Sequence, residues 1–409
     1  MLRAKRLFLL QLSACAAAAF SIGQTLYAAH RQHDTYDEYW HRAWNEQLLY
    51  QRSTDRSSVS HFKSTTPVLI ANIIVSRKIQ RVLPVNDAVV AKALNALWLV
   101  VLFASVYSLG RACAGPAAGG LAAIGTALDP NLAAHAALLT VDLPFAAVTA
   151  AFLVCVAALY RKPTLARAVM AGACFGVAFA VKFTAVLLLL CVALAPLLAS
   201  RRPRIRLACL GRAALLAGAA AAVAIFTIDA AYLFVGVGAA LGGLTFYSAP
   251  FRAIQAWSPD LKLPVPKDFL TGIDQCFAAE RGGGWNVVIL GQTFGSGVWY
   301  YFWVCWLLKT PLILLLGQIV GWWRLGARGL LWRNPMARYL AANVAIFWLY
   351  FSFLFQTQVG YRYVLFCLPI FYVLAAAGLA DLLERRRAIS LTAAALQQIS
   401  QAGGGQDIK

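Results

Sequence analysis

The feature that most constrains this chain is a series of long apolar stretches separated by short charged loops. A transmembrane helix needs about 20 apolar residues, because the hydrocarbon core of a bilayer is about 30 Å thick. By that length we expect about ten spans, and hence an all-α, polytopic membrane protein. The expected spans lie near residues 7–28, 88–110, 114–129, 142–160, 166–181, 183–199, 208–229, 298–323, 339–356 and 362–380.

The composition supports a membrane protein over a soluble one. The chain is 61% hydrophobic and 13% charged, whereas a soluble domain is about half apolar and a quarter charged. A net charge of +20 can indicate nucleic-acid binding. Here the basic residues form short clusters between apolar stretches, as in cytoplasmic loops, so no nucleic-acid partner is expected. Most of the nine cysteines lie within apolar stretches, and their spacing predicts neither a disulfide framework nor a zinc site.

Loop charge predicts the orientation, because loops rich in Lys and Arg stay in the cytoplasm. If the N-terminus is cytoplasmic, every second loop is basic, and the acidic residues from Asp34 to Glu280 all fall on the outer side. The basic loops contain Arg111; Arg161, Lys162 and Arg167; Arg201, Arg202, Arg204, Arg206 and Arg212; Arg324, Arg328, Arg333 and Arg338; and Arg385, Arg386 and Arg387. Both termini are therefore expected in the cytoplasm.

The first apolar stretch has two interpretations. Arg3, Lys5 and Arg6 precede it and small residues end it, which is also the pattern of a cleavable signal peptide. We favour an uncleaved span because the predicted topology requires one. The arginine-rich loops favour a bacterial inner membrane, although an endoplasmic reticulum protein would obey the same topology.

Residues 1–387 are expected to form one transmembrane domain, followed by a short cytoplasmic tail at 388–409. Two outer loops are long, at 29–87 and 230–297. The first contains an apolar piece at 67–75 that ends in basic residues. This piece is short for a span, so it is predicted to be an interfacial amphipathic helix.

Two adjacent carboxylates, Asp37 and Glu38, follow the first span, with His41 nearby. Transfer of a sugar to a hydroxyl group needs a base that takes the acceptor proton, and a partly desolvated carboxylate is suited to that role. A solvated acidic loop is the alternative interpretation. Asp142 stands at the outer end of a predicted span, after His135, where it is either a functional residue or an ordinary helix cap.

Basic residues on the outer side are exceptions to the charge pattern. Lys182 and Arg362 are candidate ligands of a lipid-linked phosphate, since both side chains can bind phosphate; for Lys182 an interfacial lysine is the alternative. Lys309 is expected about a dozen residues into its span, where burial is costly unless it is paired. Gln358, like His41, His135 and Lys309, is an accessory candidate.

Taken in order, these segments resemble the polyprenyl-phosphate-dependent glycosyltransferases of the GT-C class, of the dolichyl-phosphate-mannose protein mannosyltransferase type (glycosyltransferase family 39). The resemblance covers most of the chain. Its motifs are Asp37-Glu38 with His41; Thr66-Pro67; Asp129-Pro130-Asn131 through His135 to Thr140-Val141-Asp142-Leu143-Pro144; Val181-Lys182-Phe183-Thr184; Trp299-Tyr300-Tyr301-Phe302 with Leu308-Lys309-Thr310-Pro311; and Gly360-Tyr361-Arg362-Tyr363 to Leu368-Pro369.

The resemblance implies an inverting hexosyl- or mannosyltransferase with Asp37 as general base. It implies that Asp142 serves the acceptor or donor site and that Lys182 and Arg362 hold the donor phosphate. The expected partners are a polyprenyl-phosphate sugar donor, membrane lipids and an acceptor protein, glycolipid or envelope glycan. No cofactor is expected to be required. A divalent metal stays an open alternative, although the spacing of the acidic residues and histidines fits no ligand template.

Two other functions remain open at this point. A transporter or flippase of a lipid-linked substrate is also polytopic, but paired repeats with broken helices near the midplane would be expected of it. An inactive membrane subunit with the same fold is the third hypothesis, because the chain stops soon after Arg387, where relatives usually continue.

Overall fold

A computed structural model describes residues 2–54, 65–199, 207–282 and 286–384. The predicted basic cluster at 201–206, the arginines at 385–387 and the predicted tail at 388–409 lie outside these ranges. The first half of the described chain contains helices and no strand. Its α-helices are α1 (Leu2–Arg31), α2 (Tyr36–Glu46), α3 (Ile70–Gln80), α4 (Asp87–Ala93), α5 (Ala96–Ala127), α6 (Pro130–Ala136), α7 (Asp142–Arg161) and α8 (Leu165–Val181).

The second half adds further helices and a small sheet. After α8 come a 3₁₀ turn (Phe183–Leu188), α9 (Leu189–Ala193), a 3₁₀ turn (Ala195–Leu198), α10 (Leu207–Ala231), α11 (Ala249–Trp257), α12 (Lys267–Gly282), β1 (Val287–Ile289), β2 (Gln292–Phe294), α13 (Tyr301–Lys309), α14 (Leu312–Ala327), α15 (Leu330–Arg333), α16 (Pro335–Leu349) and a 3₁₀ turn (Tyr361–Cys367). A last helix, α17, covers residues 368–384.

The chain reverses direction within α5. Ala114 and Gly115 leave the helical conformation, Gly115 with φ +80°, and Pro116 follows. A Cβ atom on Gly110 would lie 2.8 Å from the carbonyl oxygen of Ala118, whereas residues eight apart in a straight helix are about 12 Å apart along its axis. The two halves of α5 therefore pack against each other, and the reversal falls where the predicted segments 88–110 and 114–129 meet.

The number of candidate spans is smaller than the number of predicted ones. In the described residues, six helices are long and apolar enough to cross a membrane, or seven if α13 and α14 are counted as one span bent by 118°. Leu165–Val181 and Phe183–Ala193 are apolar but shorter. The chain is a multi-pass membrane protein, and the finer count of about ten spans stays a prediction.

The bend between α13 and α14 corrects the expectation for Lys309. Thr310 leaves the helical conformation and Pro311 precedes α14, since proline lacks the N–H that a continuous helix would use. Lys309 therefore ends a helix and is exposed, instead of lying about a dozen residues into one span at 298–323.

The outer segment 230–297 also departs from the all-α expectation. β1 and β2 form an antiparallel hairpin in which Val287 pairs with Phe294 and Ile289 with Gln292. Leu290 and Gly291, the two turn residues, both have positive φ, of 51° and 78°. This is the backbone of a two-residue turn whose twist suits a hairpin.

The core lies along α7 and α17. In the apolar window of α7 72% of residues are buried, and in that of Tyr361–Glu384 89%, but in that of α1 only 11%. α1 is therefore peripheral, while most of α7 and most of the segment Tyr361–Glu384 are buried. Close helix contact contributes here: a Cβ on Gly378 would overlap the backbone of Gly321 on α14.

Candidate active site

The carboxylate of Glu38 fixes the start of α2. One of its oxygens accepts a hydrogen bond from the backbone N–H of Thr35 (2.8 Å), which caps the helix. The other accepts from the backbone N–H of Leu139 (2.8 Å), in the segment before α7. Glu38 is 1% exposed, so this predicted catalytic residue lies in a structural position that joins the first outer loop to α7.

Sequence reasoning missed the partner of Glu38. The Lys92 ammonium, on α4, lies 3.3 Å from a Glu38 oxygen and 2.9 Å from Asp34 Oδ1. It also donates to the backbone carbonyls of Gln32 and His33, each at 3.2 Å. A lysine inside the predicted span 88–110 was itself a signal, because a charge within an apolar span needs a partner.

Asp37, the neighbour of Glu38, forms the first ion pair of the site. Its Oδ2 accepts a hydrogen bond from Nη1 of Arg362, which stands 325 residues later in the chain. The guanidinium also lies against the Tyr363 ring, 5.9 Å from its centroid. The two predicted roles, base and phosphate ligand, thus fall on side chains that contact each other.

Asp142 and Lys182 form a second ion pair beside the first. Lys182 Nζ lies 2.9 Å from Asp142 Oδ1, and the carboxylate, at the start of α7, is only 3% exposed. The ammonium lies 5.2 Å from the Tyr363 ring centroid and 5.8 Å from that of Phe145. Asp142 also acts electrostatically on Arg362, so the two pairs form one cluster of alternating charge.

The first outer loop holds the backbone next to Lys182 in place. The Thr66 hydroxyl donates to the carbonyl of Val181 (2.7 Å). Asn45 on α2 in turn donates to the carbonyl of Thr66 (3.0 Å) and accepts from the N–H of Leu69 (3.2 Å). α2, which carries Asp37, and the end of α8, which presents Lys182, are therefore linked through buried polar groups.

Two histidines border the cluster. Nδ1 of His135 lies 3.8 Å from Asp142 Oδ2, and burial lowers the pKa of His135. Burial also lowers the pKa of His41 from 6.5 to about 4, against the opposing effect of Asp142 and Asp37. Both imidazoles are thus neutral at pH 7 and able to donate or accept a proton.

The other accessory candidates differ in position. Gln358 is buried and is hydrogen-bonded to the backbone of two segments. Its Oε1 accepts from the N–H of Val298 (2.8 Å), and its Nε2 donates to the carbonyls of Phe351 and Phe355. The backbone carbonyl of Lys309 accepts from Asn131 Nδ2 (3.0 Å), and its ammonium acts electrostatically on His135. Lys309 therefore lies at the border of the cluster.

Glu280, on α12 of the second outer loop, was not among the predicted residues. Its carboxylate accepts from the Thr357 hydroxyl (2.7 Å) and from the backbone N–H of Gln356. This contact ties the outer loop to the segment that leads into Arg362. Only the approach of α12 in three dimensions distinguishes Glu280 from the other acidic residues of that loop.

The cluster combines carboxylates able to take a proton with cations able to bind a phosphate. Within the described ranges, no group of three or more His, Cys, Asp and Glu side chains is arranged to hold a metal ion. Asp37, Asp142, Lys182, Arg362 and both histidines come together, and Glu38 supports them from the side. Gln358 lies outside the charged cluster.

Comparison with known proteins relates this geometry to one class of fold. Residues 79–229 match the family described as dolichyl-phosphate-mannose-protein mannosyltransferase. ArnT from Cupriavidus metallidurans bound to undecaprenyl phosphate matches with a TM-score of 0.56 and 14% identity, over 89% of this chain. The archaeal oligosaccharyltransferase AglB from Archaeoglobus fulgidus, in complex with an inhibitory peptide and a dolichol-phosphate, matches with a TM-score of 0.61 and 16% identity, over 94% of this chain. No curated protein sequence matched.

The chain spans 59% of the length of ArnT and 52% of that of AglB. At these identities the likeness concerns the fold. The fold is that of the GT-C glycosyltransferases, and the predicted resemblance is confirmed by the family match and both structures. A fold is shared by proteins of different activity, so the function has to be argued from the site.

Proposed function

We propose that this protein transfers a sugar from a polyprenyl-phosphate donor to a hydroxyl group of an acceptor, at the membrane face that carries the acid–base cluster. The observation that carries the proposal is the contact between Asp37 and Arg362 beside the pair of Asp142 and Lys182. Two cations thus stand next to a carboxylate on the first outer loop, within a GT-C fold.

The donor phosphate would bind between Lys182 and Arg362, because guanidinium and ammonium groups both form strong charge-assisted hydrogen bonds with phosphate. In the structure each cation is held by a carboxylate. Binding of the phosphate to Arg362 would compete with Asp37 for the guanidinium, and would leave the Asp37 carboxylate free to accept a proton. Donor binding would therefore prepare the base.

In the transfer step, Asp37 takes the proton of the acceptor hydroxyl as its oxygen bonds to the anomeric carbon. The bond from that carbon to the phosphate oxygen breaks, and polyprenyl phosphate leaves with its charge held by Lys182 and Arg362. Attack opposite the leaving phosphate inverts the anomeric centre. Asp142 keeps Lys182 oriented, and Glu38 holds the helix that carries Asp37.

The location and substrates follow from the same proposal. With about ten spans and both termini in the cytoplasm, the cluster faces the periplasm of a bacterial inner membrane. We propose that the transferred sugar is a mannosyl or other hexosyl group, and that the acceptor is a protein, a glycolipid or an envelope glycan. No metal or other cofactor is assigned a role.

The test is transfer of label from radiolabelled polyprenyl-phosphate sugars into membranes that contain the wild type or Asp37→Asn. We expect transfer with the wild type and a loss of at least a hundredfold with the variant, since a positioned base contributes about 10²–10⁴. The labelled fraction, protein or lipid, identifies the acceptor class. Asn is nearly isosteric with Asp, so equal membrane levels control for folding.

Near wild-type turnover of Asp37→Asn would exclude Asp37 as the base. Movement of the intact donor across the membrane, without release of polyprenyl phosphate, would identify a flippase instead. Absence of both activities with every donor would support an inactive subunit of the same fold.

A further inference from the structure

A second polar site lies at the end of the helix bundle opposite to the acid–base cluster. α7 begins at Asp142 and ends at Arg161, and 20 helical residues span about 30 Å, the thickness of the hydrocarbon core. At the Arg161 end there is a cavity of about 460 Å³. Arg161 and Arg333 line it, together with Asn334, Leu198 and Met336.

The two arginines of this pocket differ from Arg324 and Arg338, which lie at the same end. Arg338 donates to the backbone carbonyls of Leu197 and Ala199. Arg324 pairs with Asp381 at 3.0 Å. The side chains of Arg161 and Arg333, both exposed, have neither a hydrogen bond nor an ion pair to any part of the chain that the structure describes. Their donors are free for a ligand.

Acidic groups that could neutralise the pocket are scarce. Of the described acidic residues only Asp381 and Glu384 stand near the end of α17 on this side, and Asp381 is paired with Arg324. In the sequence, residues 200–206, which follow Ala199, include four arginines and no acidic residue. The positive-inside pattern explains charge on this face in general, but not two unpaired guanidinium groups around one cavity.

The remaining walls of the pocket are rigid or apolar. Asn334 accepts from the backbone N–H groups of Met336 (2.9 Å) and Ala337 (3.1 Å) and donates to the Cys113 carbonyl. It thus caps α16 and joins it to the turn in α5. Met336 and Leu198 are buried apolar side chains. Two cations in one pocket with apolar lining residues suit a phosphate that is attached to an acyl chain.

We propose that this pocket binds the headgroup of an anionic phospholipid from the leaflet opposite to the acid–base cluster, with Arg161 and Arg333 on its phosphate. Guanidinium groups bind phosphate with paired, directional hydrogen bonds. The site is about one membrane thickness away from the residues assigned to sugar transfer, and it does not depend on that assignment.

The test uses the full chain purified in a neutral detergent and titrated with dioleoyl-phosphatidylglycerol or dioleoyl-phosphatidylcholine, with thermal unfolding as the readout. We expect phosphatidylglycerol to raise the Tm of the wild type at lower concentration than phosphatidylcholine. The variant Arg161→Gln/Arg333→Gln should need roughly thirtyfold more phosphatidylglycerol, since each arginine near an anionic headgroup contributes about a factor of five.

The matched control is Lys162→Gln/Arg328→Gln, which removes the same charge from the same face outside the pocket. We expect it to respond like the wild type. An equal loss in the control and the pocket variant would overturn the proposal, since the effect would then come from general surface charge. Stabilisation of the wild type by inorganic phosphate alone would also overturn it, in favour of a soluble anion. If Arg161→Gln/Arg333→Gln does not fold, Arg161→Lys/Arg333→Lys keeps the charge and should retain the preference for phosphatidylglycerol.

Discussion

Replacing Lys92 by methionine tests whether the buried ion pair behind the acid–base cluster holds the first outer loop. The side chains of Lys92 and Glu38 are each 1% exposed, and Asp34, the other carboxylate partner, is 36% exposed. Methionine keeps the length of the side chain and removes the charge. The Glu38 carboxylate would remain buried, with its backbone hydrogen bonds but without a cation.

The expected cost can be worked from these exposures. Removing one partner of a buried ion pair costs about 3–5 kcal/mol, because the other charge is left without compensation. The contact with Asp34 adds little, since half-exposed pairs contribute about 0–1 kcal/mol. Backbone hydrogen bonds to Glu38 offset part of the loss. We therefore expect Lys92→Met to lower the free energy of unfolding by about 3 kcal/mol.

The assay is equilibrium unfolding in detergent micelles, followed by circular dichroism, for Lys92→Met, Glu38→Gln and the double variant. The double variant should be less destabilised than the sum of the single ones by about 2 kcal/mol, because neither charge is then left alone. Lys78→Met, at an exposed lysine on α3, is the control and should change stability by less than about 0.5 kcal/mol. A change at Lys92 as small as in this control would refute the reasoning.

Two further predictions concern the cluster itself. Lys182→Ala should raise the KM for the polyprenyl-phosphate donor by about tenfold or more, because a charge-assisted hydrogen bond contributes about 1.5–3 kcal/mol; an unchanged KM in steady-state transfer assays would remove Lys182 from the donor site. For His41, burial lowers the pKa to about 4 in the folded protein, below the ordinary 6.5, so the unfolded chain binds the proton first. Stability is therefore complete above about pH 6.5 and is lost as the pH falls towards 4, by at most about 3 kcal/mol. Urea unfolding from pH 4 to 7 should show a flatter pH dependence for His41→Gln than for the wild type, and identical profiles would contradict the assignment.

The sequence alone predicted the class of the protein and placed its candidate site residues on one side of the membrane. Apolar length and loop charge are local properties, and they predicted a polytopic helical protein with Asp37, Asp142, Lys182 and Arg362 on the same face. The structure places these four side chains in one cluster. The motifs also predicted the resemblance to the GT-C class, which the comparisons confirm.

Where local length and periodicity were the only signal, the predictions were less accurate. Lys309 was expected about a dozen residues into the span 298–323, but the chain bends by 118° at Thr310 and Pro311, and Lys309 ends α13 with its side chain exposed. The hairpin of β1 and β2 was missed because its strands have three residues each, too few for an alternating pattern to be distinguished.

Only the tertiary structure decided which partners each of the two adjacent carboxylates contacts. Asp37 and Glu38 are neighbours in the chain, yet the first contacts Arg362 and the second contacts Lys92 and the backbone of Leu139. Sequence spacing cannot separate these roles, because an ion pair depends on which distant segments meet and on how far each charge is removed from water. The polar contacts of α2 with Leu139 before α7 and with Arg362 in the Tyr361–Cys367 turn place Asp37 in the cluster and Glu38 beside it.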